Sequence, residues 1–365
     1  MLYPHLLDSI RELFLSALTK RGIVTEKKIE REAIEKIRAE GQEPNEENIR
    51  EYIGLLIDLY FANFFSDAEI ENHINLARKQ DRFKNLNRVI NKEGATSKNI
   101  KQALKEFCEI PMGDLYISPN EAEGVRVALI NHFISNQLPF IGIGKQHITI
   151  RDIEELVDNI YWSHRRPGKI GGKAAGMLLA YKILQRALAD GEIELSLPIT
   201  IPESYYLGSD LFYEFHEQND LHDFHNQKYK THEEIIEEYP HIIEVFIRGR
   251  FSDQVIAQLR ELLIEVGQTP LIVRSSSLLE DNFGSSFAGK YDSYFCPNQG
   301  TPEENLAALT NAIARTYAST LKPEALRYRR SKGLQILLQA ALIGAEKAVI
   351  LASERTAEII FEQAG

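Results

Sequence analysis

Apolar residues recur at helical spacing through the first 65 residues of the chain. Charged residues fill the positions between them, as in amphipathic helices that bury one face. The segment EENIREYIGLLIDLYFANFF repeats this pattern after a short polar stretch. We therefore predict a series of packed helices here. The first apolar stripe consists of Leu6, Ile10, Leu13, Phe14 and Ala17.

Two further helices are predicted before residue 148. The segment KEGATSKNIKQALKEFCEI has Ser97 as its candidate N-cap, and SPNEAEGVRVALINHFISNQL has Ser118 or Asn120. A side-chain oxygen at such a position accepts a hydrogen bond from the first turn of a helix. This part of the sequence carries no glycine loop and no acidic cluster at ligand spacing. We predict residues 1–148 to be a helical N-terminal domain used for packing or for binding a partner.

The pattern changes near Leu138, where glycine, proline and aromatic residues become more frequent. The run PLIV is typical of a buried strand, KYDSYF alternates like a strand, and TPEENLAALTNAIARTYASTL reads as a helix. Thr301 is the N-cap of that helix, with Glu304 completing a capping box. Strands that alternate with helices predict an α/β or α+β domain from about residue 149.

Composition excludes several classes of function. The 365 residues carry a formal net charge of −11, which opposes binding to nucleic acid or anionic lipid. The sequence contains no apolar run of about 18 residues and no basic segment before an apolar one at its start, so we expect a cytoplasmic protein that does not enter a membrane. Cys108 and Cys296 lack neighbouring ligands and are expected to be free thiols.

Four histidines lie close together in FHEQNDLHDFHNQKYKTHEE, namely His216, His222, His225 and His232. Metal sites require histidines and carboxylates at spacings that bring them onto one face of an element. This segment shows none of the familiar spacings, so we predict no metal site in it.

The segment GGKAAG, Gly171 to Gly176, opens a predicted helix. Glycines allow a backbone to approach a phosphate closely, and the first turn of a helix offers unpaired N–H groups. Lys173 would add a cation. The segment is not a Walker A motif, because Pro167 and Ala174 replace the required glycine and hydroxyl. A helix start with a solvated lysine remains the alternative.

The stretch VRSSSLLEDNFGSSFAGKYDSYF follows the predicted PLIV strand. Arg274 emerges at the strand end, where α/β folds place ligand contacts, and its guanidinium suits phosphate oxygens. Ser275, Ser276 and Ser277, which follow the arginine, could cap a turn or donate hydrogen bonds. The adjacent acids Glu280 and Asp281 fit either acid–base chemistry or a structural ion pair. The glycines of FGSSFAG are consistent with a lid over a nucleotide or with a plain hairpin loop.

Together three segments resemble the N-terminal nucleotide-binding part of phosphoenolpyruvate synthase and pyruvate phosphate dikinase. They are GGKAAGMLLAYKIL, PLIVRSSSLLEDNFGSSFAGKYDSYF and AIARTYASTLKPEALRYRRSKGL, and the resemblance covers roughly residues 165–334. It implies an ATP-grasp fold, in which two subdomains hold the nucleotide between them. The fold class expected for the chain is therefore α+β, with a helical domain followed by the first ATP-grasp subdomain at residues 149–334.

The resemblance also implies site residues. Lys173 and Arg274 would contact ATP phosphates, Gly289 would supply backbone contacts, and Ser293 stands where relatives carry a nucleotide-contacting threonine. Gln339 is a candidate for the adenine site. In the family ATP phosphorylates a histidine on a separate domain, which then phosphorylates pyruvate. No catalytic residue or metal ligand is assigned here, and Mg²⁺ ligands are expected mostly outside this chain.

The sequence departs from the family after residue 334. The tail, residues 335–365, is alanine-rich with spaced glutamates and is predicted to be a divergent helix. We expect an incomplete ATP-binding portion of a phosphoenolpyruvate-synthase-like phosphotransferase, a kinase of the pyruvate, water dikinase type. The phosphohistidine and pyruvate-binding domains would be supplied in cis or in trans. The alternative is a non-catalytic regulatory or interaction protein that retains the nucleotide-binding scaffold.

Overall fold

The chain forms two compact units in the computed structural model, which describes residues 4–109, 118–162, 168–194, 201–276, 289–331 and 348–352. Unit 1 comprises Met1–Ala95 and Asn99–Ala122, and unit 2 comprises Thr96–Lys98 and Glu123–Gly365. Unit 1 is helical, whereas unit 2 combines helices with a small sheet. The predicted α+β class is confirmed.

Unit 1 is built from amphipathic helices around an aromatic core. The rings of Phe14 and Phe61 stack with centroids 3.7 Å apart, and those of Phe61 and Phe65 are 3.9 Å apart. Arg11 donates to the carboxylate of Asp58 at the edge of this core. The helices are α1 (Pro4–Lys20), α2 (Glu26–Ala39), α3 (Glu46–Phe64), α4 (Asp67–Ile90) and α5 (Ser97–Cys108), the last of which begins in unit 2.

Local capping determines where several helices begin. The helix after α5 begins at Pro119. Of its two candidate N-cap residues, Ser118 is the cap, because its hydroxyl accepts a hydrogen bond from the N–H of Glu121 at 3.2 Å. Thr301 and Glu304 form the predicted capping box, with the N–H of Thr301 donating to the Glu304 carboxylate at 2.8 Å. Ser97 is the first residue of its helix rather than the residue before it. These starts follow from interactions within four residues.

Unit 2 contains a five-stranded sheet in the order β1-β2-β5-β3-β4. The first two strands in this order are parallel and all other neighbours are antiparallel. The strands are β1 (Ile160–Tyr161), β2 (Glu203–Leu207), β3 (Leu271–Ser275), β4 (Ser293–Cys296) and β5 (Ala348–Ala352). Among the described residues its α-helices are α6 (Pro119–Phe133), which begins in unit 1, α7 (Leu138–His147), α8 (Ile150–Asp158), α9 (Gly172–Ala189), α10 (Ser209–Gln218), α11 (His232–Arg248), α12 (Asp253–Val266), α13 (Pro302–Ala318) and α14 (Pro323–Ser331).

One face of the sheet is buried under helices. Leu271 and Val273 of β3 are fully buried and belong to one core with residues of α11, α12 and α13. Successive side chains of a strand point to opposite faces. Ile272 and Arg274 therefore lie on the other face, where both are half-buried. The predicted PLIV strand is β3, and its alternation separates a packing face from a second face that carries an arginine.

The tail differs from its prediction at β5. Residues 348–352, AVILA, form a strand between β2 and β3 rather than part of a helix. Alanine and the glutamates around this run favour helix locally, but a short apolar, β-branched run gains backbone partners on both sides when it enters the sheet. The remainder of the tail lies outside the described residues.

The compact units divide the chain at a different place from the predicted domains. Residues 123–148, which the sequence assigned to the helical N-terminal domain, cluster with unit 2. The segment LPFIGIGKQH within them is helix α7, which has proline in its first turn, where the missing N–H costs no hydrogen bond. The domain boundaries at residues 148 and 334 stay predictions.

Candidate phosphate-binding site

The first turn of α9 carries the GGK segment. The helix begins at Gly172, with Gly171 as its N-cap residue, so Lys173 lies within the first turn. Its side chain is half-buried. A helix start presents N–H groups and the positive end of the helix dipole, both of which favour an anion. Lys173 adds a cation to that position.

The end of β3 carries Arg274 beside Ser293. The two residues are direct partners in the register of β3 and β4, although 18 residues lie between them in the sequence. Partners across antiparallel strands share one face of the sheet. Arg274 and Ser293 therefore share the face opposite the helix-covered core, and Ser293 is exposed there.

A close backbone approach joins the start of α9 to the end of β3. A Cβ atom at Gly171 would overlap the carbonyl oxygen of Ser276 and would lie 2.6 Å from its hydroxyl oxygen. Only glycine leaves room for this approach. Ser276 comes two residues after Arg274, and Gly171 comes two residues before Lys173. The structure thus brings the two predicted phosphate-binding segments together.

Ser276 caps α9 from a distant part of the chain. Its hydroxyl accepts a hydrogen bond from the N–H of Ala174 at 3.0 Å, across 102 residues, and Ser276 is fully buried. Ala174 is the third residue of the helix, whose N–H is the usual partner of a capping side chain. The sequence suggested that the serines after Arg274 could cap a turn. It gave no signal that one of them caps a helix elsewhere in the chain.

The loop before α9 also contacts the turn between β2 and α10. A Cβ atom at Gly168 would lie 2.6 Å from the N–H nitrogen of Ser209 and would overlap the carboxylate of Asp210. Within residues 168–171, Gly168 and Gly171 are the positions where close approach requires glycine. The loop is therefore fixed against β2–α10 at one end and against β3 at the other.

Gly289 has a different reason to be glycine. Its φ angle is +70°, a region that disfavours residues with a Cβ, and nothing lies within 4 Å of the position a Cβ would take. The residue is exposed and precedes β4 by four positions. An exposed backbone in this conformation could offer its N–H to a ligand.

Five residues named from the sequence fall outside the described residues: Pro167, Ser277, Glu280, Asp281 and Gln339. Among the residues that the structure describes, no group of three or more His, Cys, Asp or Glu could hold a metal ion. His216, from the histidine-rich segment, is buried in the unit 2 core with its ring 4.2 Å from that of Phe212.

His132, near the end of α6, lies beside the loop that leads to α9. Burial, followed by the charge of Lys169, lowers the pKa of His132 from 6.5 to about 4. Its Nε2 lies 3.4 Å from the hydroxyl of Ser97. Burial also lowers the pKa of Lys169. His132 is therefore neutral near pH 7, and Lys169 supplies the charge at this place.

Comparison with known families identifies the segment that contains this site. Residues 168–345 match the family described as pyruvate phosphate dikinase, AMP/ATP-binding domain. Over this segment the chain is similar to that family. No curated protein matched the chain.

The family resemblance predicted from the sequence is thereby confirmed. Residues 168–345 are similar to the ATP/AMP-binding domain of pyruvate phosphate dikinase, a family of kinases and transferases. The match begins at Gly168, the first described residue of the stretch that leads into α9, and includes α9, β3 and β4. In the described part of the chain, no helix is long and apolar enough to span a membrane.

We predict that Gly171→Ala destabilises the protein by about 3 kcal/mol, because the new methyl group has to displace backbone of Ser276. Urea-induced unfolding measures the change. Gly176→Ala is the matched control in the same helix, where nothing lies within 4 Å of the added Cβ. It should stabilise the protein by about 0.5 to 1 kcal/mol. Equal effects of the two substitutions would contradict the close approach.

We predict that His132 makes stability depend on pH between about 4 and 6.5. The folded-state pKa of about 4 lies below the ordinary value of 6.5, so the unfolded chain binds the proton more tightly in this window. The contribution of His132 is complete above pH 6.5 and is lost as the pH falls towards 4. The free energy of unfolding of His132→Gln should therefore fall less steeply over this range. Identical pH profiles for the variant and the wild type would refute this prediction.

Proposed function

We propose that this chain is the ATP-binding part of a phosphoenolpyruvate-synthase-like phosphotransferase, and that unit 2 contains the first subdomain of an ATP-grasp fold. The phosphates of ATP would lie between the start of α9 and the end of β3. The observation that carries the proposal is the approach of Gly171 to Ser276, because it joins two segments that the family resemblance assigns to phosphates. The family match over residues 168–345 supports the nucleotide class.

Each site residue has a distinct proposed role. Lys173 would bind phosphate oxygens as a compact charge at the helix start, while Arg274 would bind them through its planar guanidinium. Ser293, opposite Arg274 in the register, would donate its hydroxyl to the nucleotide. The backbone N–H of Gly289 would contact the phosphates from the loop that leads into β4.

These groups are the ones that phosphoryl transfer requires. The reaction needs the phosphates to be held in place and the charge that develops on their oxygens to be neutralised. A lysine, an arginine and helix N–H groups supply both functions without any proton transfer by the protein. The phosphoryl acceptor would be a histidine on a separate domain, followed by pyruvate, as in the family.

Magnesium is part of this proposal only as a companion of ATP. The ion would neutralise charge on the phosphates and bind through their oxygens and through carboxylates. Among the described residues no set of carboxylates is placed to hold it. We therefore derive no step through the ion and expect its protein ligands outside the residues described.

We predict that Lys173→Met and Arg274→Met each weaken ATP binding by about 10-fold or more. A hydrogen bond to a charged group contributes roughly 1.5 to 3 kcal/mol, and 1.4 kcal/mol corresponds to a factor of ten. Isothermal titration with ATP in the presence of Mg²⁺ measures the affinity. Titration with AMP and adenosine shows which phosphates the lost cation contacts.

Lys182→Met is the matched control for these substitutions. Lys182 lies on the same helix, about 14 Å along the axis from Lys173, and forms an ion pair with Asp152 at 2.6 Å. Its loss removes a cation and a half-buried contact from α9 without touching the proposed site. ATP affinity should stay within twofold of the wild type. The site assignment fails if all three variants bind ATP as the wild type does.

We predict that the chain transfers phosphate only when an acceptor domain is present. The chain is incubated with labelled ATP and an isolated phosphohistidine domain from a phosphoenolpyruvate synthase, and acid-labile label on that domain is measured. Label should appear with wild type and fall at least tenfold with Arg274→Met. Tight ATP binding without any phosphoryl transfer would contradict the proposed phosphotransferase activity. It would favour the alternative, an interaction protein that retains the nucleotide-binding scaffold.

A further inference from the structure

The last turn of α6 contacts the loop that leads into α9. The ammonium of Lys169 donates to the carbonyl of Asn131, and the N–H of Ile170 donates to the carbonyl of Phe133 at 3.0 Å. The last four carbonyls of a helix lack partners within it. Two consecutive residues of the loop therefore supply partners for carbonyls at the end of α6.

The position of Lys169 is suited to a fixed contact rather than to a solvated charge. Burial lowers the pKa of its ammonium, which means that its environment disfavours the charged form. The carbonyl end of α6 offsets this cost, because the negative end of a helix dipole attracts a cation. His132, the neighbouring titratable group, is neutral near pH 7 and so adds no competing positive charge.

The four residues from Gly168 to Gly171 are held by three different elements. Gly168 contacts the turn before α10, Lys169 and Ile170 contact the end of α6, and Gly171 contacts Ser276 after β3. Glycines increase the conformational freedom of a backbone. Since three of the first five residues in GKIGGK are glycine, the loop depends on these external contacts to hold one conformation.

We propose that Lys169 is a positioning residue of the nucleotide site, which ties the start of α9 to the end of α6. The sequence GKIGGK offers two lysines four residues apart, and the structure gives them different surroundings. Lys173 lies in the first turn of the helix, whereas Lys169 donates to a backbone carbonyl before it. If Lys169 loses its contact with the carbonyl of Asn131, Gly171, two residues further on, shifts or becomes more mobile. The N–H groups in the first turn of α9 then move with it. The inference rests on the proposed binding of ATP phosphates at this helix start.

Amide hydrogen exchange of the nucleotide-free protein tests the tether by itself. The comparison is made on a peptide covering residues 168–176 in the wild type, Lys169→Met and Lys169→Arg. Methionine keeps the apolar stem but cannot donate, so exchange should become at least about fivefold faster. Arginine retains a donor and should restore most of the protection. Lys182→Met, the control on the same helix, should leave this peptide unchanged.

ATP titration at several salt concentrations tests the role in binding. Lys169→Met should weaken ATP binding about 10-fold through the displaced helix start, with the same salt dependence as the wild type. A direct phosphate contact by Lys169 would instead reduce the salt dependence when the charge is lost. Lys169→Arg should recover affinity to within about threefold of the wild type.

The outcomes separate the two proposals. Unchanged exchange in Lys169→Met, or a reduced salt dependence, overturns the positioning role. If the wild type binds no ATP, the proposed function fails, while hydrogen exchange still decides whether Lys169 holds the loop. If Lys169→Met does not fold, the same measurements are made on Lys169→Gln. The glutamine amide is too short to reach as far as the lysine ammonium.

Discussion

The close approach between Gly171 and Ser276 is the constraint on which the proposed site depends. There is no space for a Cβ atom at Gly171, and the buried hydroxyl of Ser276 accepts a hydrogen bond from Ala174. One contact therefore sets both the position of the helix start and the course of the chain after β3. A larger residue at either place would separate Lys173 from Arg274, even though neither of them takes part in the contact.

Local features of unit 2 could be predicted from the sequence because they depend on neighbouring residues. Thr301 and Glu304 cap α13 within four positions, and the apolar run PLIV forms β3. The helix start at GGK was likewise predicted from its glycines and the apolar residues that follow. For α13 and β3 the interaction that decides the structure lies within one turn or one strand.

The remaining features depend on contacts between distant residues, for which a single sequence gives no register. The pairing of Arg274 with Ser293 follows from the antiparallel ladder of β3 and β4, and the cap on α9 comes from 102 residues away. The strand β5 was predicted as helix, because its alanines and flanking glutamates favour helix locally while its sheet neighbours are remote. Tertiary context outweighs local propensity in such short runs.

The two faces of β3 separate core packing from the proposed binding site. Leu271 and Val273 contribute to the core, so their truncation would leave a cavity, whereas Arg274 lies on the opposite face and can change without loss of that packing. Gly171 and Ser276 do not allow this separation, because the same contact stabilises the helix start and shapes the proposed site. Substitutions at these two positions should therefore affect folding and nucleotide binding together, while those at Lys173 and Arg274 report mainly on binding.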